Sequence, residues 1–215
     1  MPLPLQTELL PSAALPAVSC VAEEVVLLRR FAPTAGLRAA IDAIATAAPF
    51  RYLSTPGGGS MSVAMTNCGA WGWHSDASGY RYLERDPRSA LPWPAMPLVL
   101  AELAARAAAT AGFPGFAPDC CLVNRYAPGA QMGTHRDFDE HDLRHPIVSV
   151  SIGLPAVFLW YGASRQGPPT RVPLVDGDVL VWGGRARAGY HGVRRLPVRA
   201  EAGALRYNLT FRRAR

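Results

Sequence analysis

Two histidines and one aspartate are the residues of this sequence with the plainest chemical capacity. In His135-Arg136-Asp137 an imidazole and a carboxylate stand two positions apart. On an extended segment, residues i and i+2 point to the same face, so both side chains converge on a point that a metal ion could occupy. Alone, the triplet reads equally well as a solvated acidic turn, because Asp139, Glu140, His141 and Asp142 follow directly. His191, in Gly189-Tyr190-His191-Gly192, follows an apolar run at 179–182, with enough chain between to return it beside the first pair. A lone histidine after glycine is also an ordinary turn residue. Two histidines and a carboxylate on one face form the arrangement used by non-haem Fe(II) oxygenases, with coordination positions left open.

A second constellation lies near the C-terminus. Residues 205–212 alternate strictly: Arg206, Asn208, Thr210 and Arg212 on one face, Leu205, Tyr207, Leu209 and Phe211 on the other. Residues 122–126 likewise put Asn124 and Tyr126 on one face. A generic edge strand can show such a polar face to solvent. Two matched polar faces can instead line a barrel mouth for a small dicarboxylate, with Arg206 and Arg212 each pairing a carboxylate through charge-assisted hydrogen bonds.

Composition narrows the chemistry further. The chain has 215 residues and a net charge of +6, and every basic residue is arginine. Without lysine there is no P-loop lysine, no Schiff-base lysine and no Ser-Lys nucleophile pair. Arginine suits phosphates and carboxylates through its planar fork, although an Arg-for-Lys composition bias gives the same charge. Cys20, Cys68, Cys120 and Cys121 include no CxxC pair and no zinc-finger spacing, which points to a reducing compartment, the cytoplasm. No apolar run is long enough to cross a membrane. Ala17-Val18-Ser19-Cys20 faintly resembles a lipoprotein cleavage site, but no basic residue precedes it and four prolines interrupt the region. A loose tail over 1–20 is the expectation.

The elements that must position these residues follow from periodicity. A strand is expected over 25–31 and a helix from Pro33-Thr34 to about 48, with Leu37, Ile41 and Ile44 on one face. A turn at 54–59 precedes a short strand near 61–66, and 67–93 reads as aromatic and irregular. A second helix runs from Pro97 to Gly112. From residue 120, short β-type runs at 120–126, 147–152, 156–161, 172–175, 178–182 and 205–211 alternate with turns, the pattern of a sandwich or barrel. The expected organisation is a tail at 1–20, helices and an aromatic stretch at 21–118, and a β core at 119–215 forming one integrated domain.

These motifs together are similar to one family. Asn124-Arg125-Tyr126 before Pro128-Gly129, His135-x-Asp137, His191 and Arg206-x-Asn208-x-Thr210-x-Arg212 resemble the AlkB-type Fe(II)/2-oxoglutarate dioxygenases. So do residues 61–69 and Trp93-Pro94-Ala95-Met96-Pro97, and the likeness runs from about 22 to 213. The resemblance implies a mainly β fold with flanking helices: a double-stranded β-helix, or jelly roll, carrying an N-terminal nucleotide-recognition lid within 21–118. It implies Fe(II) on His135, Asp137 and His191, with no catalytic group beyond these ligands. It implies 2-oxoglutarate on Asn124, Tyr126, Arg206, Asn208 and Arg212, with O2 as the other cosubstrate. Trp73 and His135 would sandwich a damaged base, Asp139 would contact its edge, Tyr80 and Arg165 would contact substrate, and Trp182 would wall the iron. The implied reaction removes N-alkyl groups, such as those of 1-methyladenine and 3-methylcytosine, from single- or double-stranded DNA and from RNA, releasing succinate, CO2 and formaldehyde. A monomer is the expectation for its assembly. Gln131, Phe138 and Trp160-Tyr161 depart from the pattern expected of the family and bear on substrate preference. Two rivals remain: the same oxygenase acting on a protein or small molecule, and a metal-binding barrel without turnover.

Overall fold

The computed structural model describes residues 17–199, 201 and 203–215. In chain order the elements are β1 (Val18–Ala22), β2 (Val25–Leu28), α1 (Thr34–Ala47), β3 (Arg51–Ser54), β4 (Ser60–Gly69), β5 (Gly72–Asp76) and β6 (Gly79–Leu83). Then come α2 (Leu98–Thr110), β7 (Cys120–Tyr126), β8 (Met132–His135), β9 (Ile147–Gly153), β10 (Ala156–Gly162) and β11 (Thr170–Leu174). β12 (Val179–Trp182), a 3-10 turn at Gly184–Ala186, β13 (Tyr190–Val193) and β14 (Arg206–Arg212) complete the chain.

An eight-stranded sheet runs in the order β1-β2-β12-β9-β14-β7-β4-β3, and a four-stranded sheet in the order β11-β10-β13-β8. The two form the jelly roll, and β5 and β6 pair separately as a hairpin. The expected fold class is the one observed. Alternation in the large sheet divides its residues between two cores. Tyr207, Leu209 and Phe211 of β14, with Val148, Val150 and Ile152 of β9 and Val179 and Val181 of β12, join Leu37, Ile41 and Ile44 of α1 and Leu100, Leu103 and Ala107 of α2. The helices therefore cover one face of the sheet. The second core packs Leu122, Tyr126, Ile147, Leu180 and Trp182 of the large sheet against Phe158, Trp160, Val172 and Val193 of the small one. Arg206, Asn208, Thr210 and Arg212 lie on this inner side.

Several boundaries differ from the sequence expectation. Most of the expected 1–20 tail lies outside the described residues, and its end, Val18–Cys20, begins β1, which pairs antiparallel with β2. The lid assigned to 21–118 supplies β2, β3 and β4 to the eight-stranded sheet, so the core does not begin at 119. The irregular stretch after 67 contains the β5–β6 hairpin, closed at Asp76-Ala77-Ser78-Gly79, where Gly79 has φ +112. At the hairpin's entry Gly72 is obligatory: a Cβ there would overlap the Trp93 indole. β8 and β13 had no strand signal, being four residues long with an internal glycine each.

Candidate active site

β8 ends on His135 and β13 carries His191, and the two are register partners across an antiparallel pair. Their rings lie 4.4 Å apart. Asp137 stands two residues past the end of β8. Its Oδ1 is 3.8 Å from His135 Nε2 and its Oδ2 is 3.8 Å from His191 Nε2. One donor atom from each residue falls within 4.8 Å of the others, the arrangement anticipated from the spacing. Both imidazoles are oriented alike: Nδ1 of His135 faces the Gly133 carbonyl at 2.8 Å and Nδ1 of His191 faces the Gly189 carbonyl at 2.9 Å. A carbonyl only accepts, so Nδ1 carries a proton in each ring and Nε2 is the nitrogen turned toward Asp137. Burial and the neighbouring His135 pull the His191 pKa down to about 3 against the pull of Asp137, so this ring is neutral. Burial opposes the Asp137 charge, but Arg212, His191, His135 and Arg187 outweigh it and hold the carboxyl below its ordinary value. Two imidazoles presenting Nε2 and one carboxylate fit a divalent first-row metal.

Aromatic rings fix His191 from behind. Phe158 stacks on it at 5.5 Å and Trp182 meets it edge-on at 5.0 Å. Trp160, at 6.4 Å, lies so close to the Gly189 backbone that a Cβ at 189 would overlap its indole. Gly189 thus lets one carbonyl hold His191 while Trp160 packs behind it. Gly189→Ala is expected to destabilise the fold by about 1–3 kcal/mol through overpacking, measured by urea unfolding. An unchanged midpoint would mean that Trp160 can move aside.

A cavity of about 480 Å³ opens beside the cluster, lined among others by Asn124, Tyr126, Arg206, Asn208, Thr210 and Arg212. Register explains their convergence: Arg206 faces Tyr126 and Asn208 faces Asn124 across β14 and β7. Arg206 is 1% exposed, and its guanidinium lies 4.8 Å from the Tyr126 ring centre. Nη2 donates to Ser151 Oγ at 3.2 Å, while Nε and Nη1 are buried without partners. An unpaired buried guanidinium is costly unless an anion completes it, and this is the observation that fits a dicarboxylate here. Asn208 donates to Ser149 Oγ at 2.8 Å and accepts from Thr210 Oγ1 at 2.9 Å. Arg212 donates to Asp137 Oδ2 at 2.8 Å through Nη2, so it also neutralises the metal carboxylate.

Of the four expected substrate contacts, three line the cavity: Trp73, Tyr80 and Asp139. Trp73 and Tyr80 stack at 5.6 Å with 16° between planes, and Trp73 Nε1 donates to Asp139 Oδ2 at 2.9 Å. Asn67 fixes the Trp73 backbone by accepting from its N–H at 3.0 Å and donating to its carbonyl at 3.1 Å. Arg165 is not brought to the cavity. It donates to the Thr134 carbonyl at 3.1 Å from the β10–β11 loop. Gln131 lines the rim, where its backbone N–H donates to Ser62 Oγ; Phe138 is half exposed under the Arg136 guanidinium. Trp182 lines the cavity behind His191, as expected of a wall residue. The site also uses Ser149 and Ser151, which the sequence reading did not assign. The alternation Val148-Ser149-Val150-Ser151-Ile152 was their signal, two hydroxyls on the polar side of an otherwise apolar strand.

These features define a class, the oxygenases that hold Fe(II) through two histidines and a carboxylate and bind a dicarboxylate cosubstrate beside it. The sequence pattern of the 2OG-Fe(II) oxygenase superfamily matches residues 24–212. The Alpha-ketoglutarate-dependent dioxygenase AlkB of Salmonella typhimurium is 53% identical over 193 residues, covering 88% of this chain and 89% of the relative. The DNA N(6)-methyladenine demethylase ALKBH1A of Arabidopsis thaliana is 35% identical over 143 residues, covering 64% of this chain and 41% of that protein. Among solved structures, that of OsALKBH1 superimposes with a TM-score of 0.79 at 25% identity, covering 91% of this chain and 99% of that one. The chain belongs to the 2OG-Fe(II) oxygenase superfamily and, within it, to the AlkB-type dioxygenases. It is an Fe(II)/2-oxoglutarate-dependent enzyme whose cosubstrates are 2-oxoglutarate and O2.

Proposed function

We propose that this enzyme reverses N-alkylation of nucleic-acid bases, with DNA lesions such as 1-methyladenine and 3-methylcytosine as its substrates and alkylated RNA as a second class. The carrying observation is the shared cavity: Trp73, Tyr80 and Asp139 line the same cavity as His135, Asp137, His191 and Arg206. Fe(II) held by His135, Asp137 and His191 supplies the oxidation when bound: 2-oxoglutarate and O2 become succinate and CO2, and a hydroxylated N-methyl carbon leaves as formaldehyde. The chain's own residues do the rest. Arg206 anchors the distal carboxylate of 2-oxoglutarate, with Asn124, Tyr126, Asn208 and Arg212 lining its path. The apolar wall of Phe158 and Trp182 excludes water from the reacting side.

Trp73 presents an indole face to the base, and Asp139 reads its exocyclic edge. Stacking on an aromatic face contributes roughly 1–3 kcal/mol and is indifferent to sequence, which suits both DNA and RNA. A base alkylated on its pairing edge is already poorly paired, so extruding it from duplex DNA or taking it from a single strand costs less. Among the described residues no helix is long and apolar enough to cross a membrane.

The test is direct: load the protein with Fe(II) and 2-oxoglutarate without oxygen, add a 1-methyladenine oligonucleotide, admit air and weigh the product. A loss of one CH2 unit, methyl replaced by hydrogen, with matching succinate is expected. Succinate formed without change in the oligonucleotide would move the assignment to a protein or small-molecule substrate. Trp73→Ala should weaken methylated-oligonucleotide binding by roughly 5- to 150-fold on the same stacking scale, read by anisotropy, and leave the 2-oxoglutarate Kd unchanged. If both affinities fall together, Trp73 is serving the core.

A further inference from the structure

Trp73 and Tyr82 are register partners across the β5–β6 hairpin, so their side chains share one face. That face meets two consecutive acids. Trp73 Nε1 donates to Asp139, and the Tyr82 hydroxyl donates to Glu140 Oε1 at 2.6 Å. Asp139 and Glu140 are the second and third residues after the metal carboxylate of Asp137. Glu140 is buried and lies between two buried arginines, with Arg187 Nη2 at 2.9 Å from Oε2 and Arg212 Nε at 3.3 Å from Oε1. Both arginines also grip Asp137. Arg212 donates to its carboxylate, and Arg187 Nη1 donates to its backbone carbonyl at 3.0 Å. Arg187 Nε reaches the His145 carbonyl at 2.9 Å, so one side chain spans the whole acidic loop.

Burying a carboxylate among guanidinium groups is weak evidence for stability, because apolar residues of the same volume often stabilise as well or better. The connectivity is the informative property. Starting from the base platform, an unbroken chain of contacts runs Tyr82, Glu140, Arg212 and Arg187, Asp137. We propose that Tyr82, Glu140 and Arg187 are positioning residues that join the aromatic hairpin to the metal carboxylate, so that an alkylated base on the hairpin and a divalent cation on Asp137 strengthen each other's binding. This rests on the base-platform reading of Trp73. Partners outside the ligand shell commonly change metal affinity 10- to 100-fold. Coupling between two sites is reciprocal by thermodynamic necessity and typically amounts to 5- to 150-fold.

The experiment uses the whole chain, Mn(II) as a redox-silent cation and a short single strand carrying one 1-methyladenine. Mn(II) affinity is measured by electron paramagnetic resonance with and without the oligonucleotide, and oligonucleotide affinity by anisotropy with and without Mn(II). In the unaltered protein the oligonucleotide should tighten Mn(II) at least fivefold, and Mn(II) should tighten the oligonucleotide by the same factor. Tyr82→Phe, which removes one hydroxyl, should reduce that factor to a third or less, with metal-free oligonucleotide affinity within threefold of the original. Glu140→Gln keeps an oxygen for Tyr82 but removes the charge between the arginines, and should reduce the factor as well. An unchanged factor in either folded variant overturns the proposal, and so does absence of coupling in the unaltered protein when it binds the oligonucleotide normally. Failure of the unaltered protein to prefer the methylated strand would instead sink the base-platform reading, and this proposal with it.

Discussion

Turnover of a methylated oligonucleotide is expected to fall by at least about 100-fold in both His135→Ala and His191→Ala, more than the loss of an outer partner of a metal ligand usually costs. The two variants should differ in stability. His135 has a side chain 38% exposed, whereas His191 is 6% exposed and enclosed by Phe158, Trp160 and Trp182. Removing the second ring opens a cavity in a packed aromatic cluster, so His191→Ala should be the less stable protein. Mn(II) separates the two effects. A cation at 100 times its Kd stabilises the folded state by about 2.7 kcal/mol, a rise in melting temperature that the unaltered protein should show and both variants should lose. Full turnover by either variant with fresh iron, or an undiminished Mn(II)-dependent rise, would remove these histidines from the metal site.

Arg206→Ala carries the second large effect. A carboxylate of 2-oxoglutarate that loses its buried partner should bind about 2–5 kcal/mol more weakly, roughly 30-fold to several-thousand-fold in Kd. Titration under argon measures it, and a change below threefold would put the carboxylate elsewhere. The free protein should respond in the opposite sense. Arg206 Nε and Nη1 are buried without partners, and burial lowers the Arg206 pKa against the pull of Tyr126. Arg206→Met fills similar volume without a charge to desolvate. It should match or exceed the unaltered protein in thermal stability without 2-oxoglutarate and fall behind once saturating 2-oxoglutarate is added. Arg206 thus trades resting stability for cosubstrate binding.

How much of this was legible in the sequence depended on whether the signal was local. Strict alternation over 205–212 announced β14 and both of its faces, because a strand between two cores must place side chains by parity. The 37-41-44 spacing announced α1 for the same kind of reason, and α1 spans Thr34–Ala47 as the spacing required. The strands that carry the histidines were not announced. β8 and β13 are four residues long, and the register slips between His191 and Val193, so their pairing is dictated by neighbours and not by their own composition. The hairpin at 72–83 was hidden by its aromatic content, which reads as irregular although it is a stacking face. Tyr82, Glu140 and Arg187 were invisible for a different reason. Each is an ordinary residue in its own segment, and only the fold brings them into contact across long sequence separations.

Among the described residues the eight-stranded sheet does not close on itself, and its two outermost strands are β1 and β3. Each is short and each is broken: the register shifts between Cys20 and Ala22 in β1 and between Tyr52 and Ser54 in β3. On the β3 side the Ser75 hydroxyl also occupies the Ser54 carbonyl at 2.6 Å, using an acceptor that a foreign strand would need. A long, flat, unpaired rim is a template for aggregation, whereas kinked and partly capped rims are poor ones. The wide sheet, whose β7 and β14 carry Asn124, Tyr126, Arg206, Asn208 and Arg212, is therefore finished at both margins in a way that discourages fibrous stacking of neighbouring molecules.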